Sequence, residues 1–427
     1  MNQPPRAPHI TIVTFAWPPR NSIAAHRPYS WARYWSEAGA RVRVLTARKY
    51  AYDAPLDLDL PVLPEVEVIE TAYGARGSSL FRLLSSHLQR GLVRRMLLKL
   101  RGQSLVRIAN PREAWLAAVR PMLARWAQET DYVVSTYDPR MVHQIAAEMK
   151  AANPDLKWIA DYRDLWSLNH MASRSASQKG TEEAMERATV GRYADMVTSV
   201  SEDLARQQGT CLDKPWLTVT NGFDMDIAAV RKAVEAGPSR AGVPLMIVYT
   251  GKIYPKLRDP LPLFEAIAAL EGEGRIEKGV VQVHIYGGQT EGLEHVVGAG
   301  RFDHMLHMHG HVSREAALAA QSRADLLLLL ESPLPEARGV LTGKIFEYMA
   351  TGVPILSLGS RRDSAIGEVL GRTATGLCTE DDQEAIRSAL LGRMAGETPG
   401  WFKPDMAEIE TYSRKSQAMA MFAAMIR

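Results

Sequence analysis

The sequence predicts an α/β protein built as two doubly wound, parallel-sheet halves. Three observations carry that prediction. Short apolar runs of six or seven residues alternate with amphipathic segments from end to end, the pattern of buried strands joined by crossover helices. The rhythm breaks once, at 226–244 (DIAAVRKAVEAGPSRAGVP), where Gly, Pro and charge read as a linker. The 427 residues suit two domains better than one. A closed eight-fold barrel shares the class, but it predicts eight even units and no restart.

Strands are expected at HITIVTF (9–15), RVRVLT (41–46), DYVVSTY (131–137), KWIADYR (157–163), DMVTSVS (195–201) and WLTVTNG (216–222). A second series runs through LMIVYTG (245–251), VQVHIYGG (281–288), MLHMHG (305–310), DLLLLLE (325–331) and PILSLG (354–359). Their length and β-branched content set them apart from the amphipathic stretches between them. The expected division is 1–240, 241–405, and a helix at 406–427 outside the strand rhythm, which either caps one of the halves or crosses back onto the first. Ligands of such sheets bind beyond the carboxyl ends of the strands, so the chemistry is expected in the loops that follow them.

Composition narrows the function. Hydrophobic residues are 46% and charged residues 23%, which excludes disordered and fibrous classes. Cys211 and Cys378 lack partners at metal-ligand spacing, so a reducing, cytoplasmic setting is expected. The polar, Pro-rich start does not read as a signal peptide, and no apolar run is long enough for a spanning helix.

Two segments carry chemistry. In LTGKIFEYMATGVPIL (341–356) a Gly-flanked turn opens a short helix with Lys344 in its first turn and Glu347 on the same face. Such a helix start suits a phosphate, and the carboxylate suits vicinal ribose hydroxyls; a surface ion pair is the competing reading. In YTGKIYPKLRDPLPLFEAI (249–267) the strand bends at Gly251 into a loop with Lys252, Lys256 and Arg258, a diphosphate clamp if not merely a solvated loop. No Walker or GxGxxG fingerprint occurs there, which argues against ATP hydrolysis and NAD binding.

At these segments the chain resembles the GT-B glycosyltransferases, and among them retaining family 4 of the polysaccharide-biosynthesis type. The matches are Gly251-Lys252 with Arg258, and Glu347-Tyr348-Met349-Ala350-Thr351-Gly352-Val353-Pro354-Ile355. SVSEDLARQQ (199–208), Asn221-Gly222-Phe223-Asp224 and the block at 305–329 follow in the family's order. The resemblance implies two Rossmann-like domains facing a cleft, a nucleotide-diphosphate sugar as donor, and no metal or other cofactor. Lys252, Arg258 and Lys344 would neutralise the diphosphate, and Glu347 would hold the ribose. Gly251, Gly339, Val340, Leu341, Thr342, His311 and Val312 would complete the donor site. The family's Glu-x7-Glu pair is incomplete here, because Gly339 stands eight positions before Glu347 and the nearby Glu331 and Glu336 are out of register.

In the first half, FAWPPRNSIAAHRPYSWARYW (15–35) is similar to the family's Pro-Pro-Glu loop, with Arg27 as its cation. Asp161-Tyr162-Arg163-Asp164-Leu165-Trp166 resembles an Asp-x-Arg-Asp-x-Trp landmark. Asp161 and Asp164 are thereby expected as acceptor-orienting or basic groups, with Arg27 and Arg163 binding a glycan or lipid-linked acceptor. For Asp164 an ion pair capping the next helix competes with that role.

Other features are declined. His304, His307, His309 and His311 lie close in sequence, but strand alternation splits neighbours between faces, so no metal site is expected. Asp57-x-Asp59 and Asp224-x-Asp226 read as loop acids.

The near-zero net charge of +3 hides one segment. Residues 71–112 hold nine Arg or Lys and no acidic residue, and without them the first 240 residues carry 23 basic against 25 acidic groups. Leu84, Leu88, Leu92, Met96 and Leu100 recur every four residues, with Arg90, Arg94, Arg95, Lys99 and Arg101 among them. A basic amphipathic helix of this kind suits an anionic membrane surface, and a helix packed on its own domain is the alternative. Nucleic acid is not expected, because aromatic interleaving is absent.

Together these readings describe a retaining glycosyltransferase of bacterial surface polysaccharide assembly, cytoplasmic and peripheral on the inner face of the membrane. A sugar-nucleotide epimerase on the same fold and a non-catalytic sugar-nucleotide binding subunit are the alternatives.

Overall fold

The computed structural model describes residues 6–51, 54–73, 114–169, 174–237, 244–253, 257–287, 293 and 300–427. The chain forms two compact units, Met1–Val219 with Ala418–Arg427, and Thr220–Gln417.

The first unit holds seven parallel strands in the order β3-β2-β1-β4-β5-β6-β7. They are β1 (His9–Thr14), β2 (Arg41–Ala47), β3 (Val66–Thr71), β4 (Tyr132–Tyr137), β5 (Lys157–Tyr162), β6 (Met196–Ser199) and β7 (Trp216–Thr218). Around them lie α1 (Ile23–Glu37), α2 (Ala114–Gln128), α3 (Met141–Ala152), α4 (Ala176–Glu186) and α5 (Glu202–Leu212). Strand alternation sends Val13, Leu45 and Val133 into a core with Trp115, Val119 and Ile145 of α2 and α3. Ile10, Ile12, Val42 and Val44 point the other way, to Trp31 and Trp35 of α1. A sheet covered on both faces explains why its central strands read as nearly continuous apolar runs.

The second unit is a six-stranded parallel sheet, β10-β9-β8-β11-β12-β13. Its strands are β8 (Leu245–Thr250), β9 (Val281–Tyr286), β10 (Leu306–Gly310), β11 (Leu326–Leu330), β12 (Ile355–Leu358) and β13 (Gly376–Cys378). Its helices are α6 (Ile227–Ala236), α7 (Leu261–Gly272), α8 (Arg314–Arg323), α9 (Lys344–Met349), α10 (Ala365–Thr373), α11 (Gln383–Met394) and α12 (Met406–Thr411). All five leucines of β11 are buried, as its central place in the sheet requires. Strand order reverses between β8 and β11, so their carboxyl ends mark the crevice where such sheets take ligands.

The structure departs from the sequence-based expectations at three places. Two strands were not expected. The edge strand β3 carries two glutamates, Glu67 and Glu70, on a mostly exposed ribbon, and β13 has only three residues. The stretch read as a linker begins with a helix, α6, whose N-terminus is capped by Asp226 accepting from Ala228 N and Ala229 N. α6 belongs to the second unit, where Gly352, at φ +73°, comes so close to the Ala233 carbonyl that any Cβ would overlap it. The division therefore falls after Val219 rather than after residue 240.

The C-terminal segment is two helices, α12 and α13 (Arg414–Met425). From Ala418 onward it belongs to the first unit. There the Trp35 indole donates to Ala418 O at 2.8 Å, and Met421, Phe422 and Met425 join the α1 core. Among the described residues, no helix is long and apolar enough to cross a membrane.

Candidate functional site

In the second unit, the turn after β8 and the start of α9 meet at one point. Gly251, at φ +142°, leaves the strand with its Cα bare beside Lys344. A Cβ there would overlap Lys344 Cε and lie 2.6 Å from Nζ, so glycine is what lets the ammonium rest on this turn. The junction is fixed from both sides. The buried Tyr348 hydroxyl accepts from Thr250 N at 2.9 Å and lies 3.1 Å from Thr250 Oγ1, which accepts from Gln321 of α8 at 3.0 Å. Burial pushes the Tyr348 phenol up to about 12, which keeps it neutral. Tyr249 supports the cation directly, with its ring 5.2 Å from Lys344 Nζ, and its hydroxyl donates to Lys252 O at 2.8 Å.

Lys344 is a strained cation. Burial and the neighbouring Arg258 lower it from the ordinary lysine value to about 8, against the opposing pull of Glu331 and Glu347. An ammonium held in poor solvation beside another cation gains much when an anion arrives.

Glu331, directly after β11, is out of register with Glu347 in the sequence, which gives no sign of its place at this site. It is 6% exposed, and its Oε2 accepts from Arg258 Nη2 at 3.0 Å. Its Oε1 has no hydrogen-bond partner among the described residues. Burial raises the carboxyl, while Arg258 and Lys344 draw it back down. Arg258 is thus engaged by a carboxylate rather than standing open as the sequence suggested.

The other expected donor-side residues fall nearby. Lys252 is exposed, with no ion-pair partner among the described residues. Glu347 accepts from Arg314 Nη1 at 2.9 Å, which ties α9 to the start of α8. His311 and Val312 lie in the turn between β10 and α8, a few residues before Arg314. Gly339 is buried, Val340 donates its N–H to Ala337 O at 2.8 Å, Leu341 is buried, and Thr342 is half-buried just before α9. α9 has only six residues and no side-chain cap, so the cations rather than its dipole dominate the positive field.

The first unit corrects two expectations. Arg27 and Asp161 form an ion pair exposed by only 3% and 0%. Asp161 Oδ1 accepts from Arg27 Nη2 and Thr198 Oγ1, both at 2.7 Å. Its Oδ2 accepts from Arg27 Nε at 3.1 Å and Thr136 Oγ1 at 2.7 Å. Arg27 also lies over Trp31, 4.8 Å from the ring centre. Four donors saturate the carboxylate, and no face is left for an acceptor hydroxyl. The pair ties α1 to β4, β5 and β6 inside the unit. Arg163 and Asp164 lie in the loop after β5 and pair with each other at 2.5 Å, with Asp164 exposed.

The histidines cluster differently than expected. His307 and His309, two apart, share a face of β10, and His284 of β9 stacks between them at 4.6 and 5.2 Å. Their rings lie nearly parallel, and His284 Nδ1 lies 2.9 Å from His309 Nε2, a hydrogen bond between the two imidazoles. Among the described residues no group of three or more His, Cys, Asp or Glu could hold a metal ion. Asp57 accepts from Asn21 Nδ2 at 2.9 Å, Asp224 pairs with Arg414 at 2.8 Å, and Asp226 caps α6. Arg90, Arg94, Arg95, Lys99 and Arg101 lie outside the described residues.

Comparison with known proteins places this arrangement. Residues 244–395 match the family model for glycosyl transferases group 1. No curated protein matches the sequence. A glycosyltransferase from Rickettsia africae shares the fold at 12% identity and TM-score 0.60, with 98% of each chain covered. HepE from Anabaena, solved with UDP and glucose, does so at 13% identity and TM-score 0.57, covering 98% of this chain and 99% of that one. A UDP-forming trehalose-phosphate synthase from Burkholderia vietnamiensis aligns at 11% identity and TM-score 0.59, over 98% and 99%. Two parallel Rossmann-like sheets of seven and six strands make this the GT-B fold, and within it residues 244–395 are similar to the glycosyl transferases group 1 family.

Proposed function

We propose that this chain is a retaining glycosyltransferase that moves a sugar from a nucleotide-diphosphate sugar to a glycan or lipid-linked acceptor in surface polysaccharide assembly. The observation that carries the reading is Lys344, a cation lowered to about 8 against a bare glycine turn, beside Arg258 and in a group 1 domain. Breaking a sugar–phosphate bond leaves a diphosphate whose growing charge needs preorganised positive groups. Lys344, Arg258 and the exposed Lys252 supply them in this reading, without calling on a metal ion. Glu347 accepts from the ribose hydroxyls, trading its contact with Arg314 for them. The turn at Gly339, Val340, Leu341 and Thr342, with His311 and Val312, encloses the donor. A nucleotide sugar is supported by the likeness to HepE, which was solved with UDP and glucose.

Retention requires the acceptor hydroxyl to attack from the face the diphosphate leaves, hydrogen-bonded to that leaving group as it departs. The first unit provides the acceptor side, with Arg163 and Asp164 as its accessible charged pair. The nine cations and absent acids of 71–112 support a peripheral anionic-membrane contact, which suits a lipid-linked acceptor. A thermal-shift screen of nucleotide sugars tests the donor assignment. One nucleotide sugar should raise the melting temperature, and raise it further with the logarithm of its concentration above Kd; a screen without any shift contradicts the reading.

A further inference from the structure

We propose that Glu331 is a proton-coupled placeholder for the diphosphate, holding Arg258 in the empty site and taking up a proton when an anionic ligand draws Arg258 away. The inference rests on the reading that this unit binds a diphosphate. Glu331 is nine-tenths buried, one oxygen is on Arg258 at 3.0 Å, and the other has no hydrogen-bond partner among the described residues. A carboxylate with half its acceptor capacity unused is expensive to keep ionised unless its cation stays.

The groups around it leave one route to neutrality. Arg258 comes from the loop before α7, and Lys344 from α9. Arg338 and Arg361, which line the same small cavity, are held at 3.1 Å by Asp363. Glu347, which also acts on Lys344, is paired with Arg314. Among the described residues, Glu331 is the buried carboxylate that Arg258 and Lys344 share. A diphosphate brings two or three more negative charges, and Arg258 cannot serve both ligands fully.

Drawn toward the phosphates, Arg258 leaves Glu331 buried beside like charge, where the neutral form is favoured. The proton comes from solvent and settles on a carboxylate oxygen. The group then becomes a hydrogen-bond donor facing acceptor oxygens. Burial already raises this carboxyl, and only Arg258 and Lys344 restrain it.

Calorimetric titration of pyrophosphate and of UDP into the full chain, in buffers of different ionisation enthalpy, counts the protons exchanged. At about pH 6.5 Lys344 is already charged, so its contribution is small. Wild type should take up about one more proton per bound ligand than Glu331→Gln, in which the ligand's own protons cancel. As a check that needs no variant, adding pyrophosphate to wild type should produce the infrared carbonyl band of a protonated carboxyl. Binding with equal proton counts in both proteins and no such band overturns the inference and leaves the diphosphate site standing. Failure of both ligands to bind wild type overturns the site and the inference together.

Discussion

Two arginine pairs around a buried carboxylate, one in each unit, are built in opposite ways. Asp161 receives four hydrogen bonds, two from Arg27 and two from threonines, and is fully enclosed. Glu331 receives its contact from Arg258 on one oxygen only, and the neighbouring Lys344 is lowered to about 8. A saturated pair has nothing left to offer a ligand, so it acts as a scaffold. An unsaturated one, with two cations around a single acid, is poised to gain from an incoming anion. Unmet electrostatic demand, rather than burial or charge alone, separates the candidate site from the core.

Breaking each pair should therefore have different consequences. Asp161→Asn strands a buried guanidinium and should cost ~3–5 kcal/mol of stability, read as a lower midpoint in chemical denaturation. A midpoint close to wild type contradicts the scaffold role. Arg258→Ala should reduce donor turnover by about 10²-fold, as loss of one preorganised charge does. Equal turnover would show that Arg258 belongs to the fold like Arg27. Glu347→Gln should weaken nucleoside-diphosphate affinity about tenfold, the scale of one charged hydrogen bond, and unchanged calorimetric affinity removes its ribose role. The smallest effect is pH dependence. Lys344 works as a cation, so kcat/KM should hold below about pH 8 and fall as pH rises through that value. A profile flat to about pH 10, the ordinary lysine range, would place the ammonium in open water.

Much of this architecture was legible in the sequence for physical reasons. The strands of the two sheet centres are buried on both faces and read as apolar runs, as in LLLLL at Leu326–Leu330. β3 escaped because an edge strand with exposed glutamates does not look like them. α6 escaped because the Gly, Pro and charge that follow it masked a capped helix. At the site, the meeting of Gly251 and Lys344 follows from two short motifs with fixed local geometry, whereas the pairing of Glu347 with Arg314 is not visible in its motif. Arg27 and Asp161 were misread because they are 134 positions apart, and nothing local shows a carboxylate already saturated. The place of Glu331 at the site was hidden for the same reason, since its partner Arg258 is 73 positions away. The histidine stack was misjudged because residues two apart on a strand share a face, and His284 comes from the neighbouring strand.

The central claim is that the glycine turn and Lys344 bind and neutralise the donor diphosphate. Calorimetric titration of UDP and pyrophosphate into wild type and Lys344→Ala, with melting curves confirming the fold, tests it without needing the acceptor. The account predicts tight binding to wild type and at least a tenfold loss in the variant for both ligands. Equal affinity in the two proteins, with the fold intact, would contradict it.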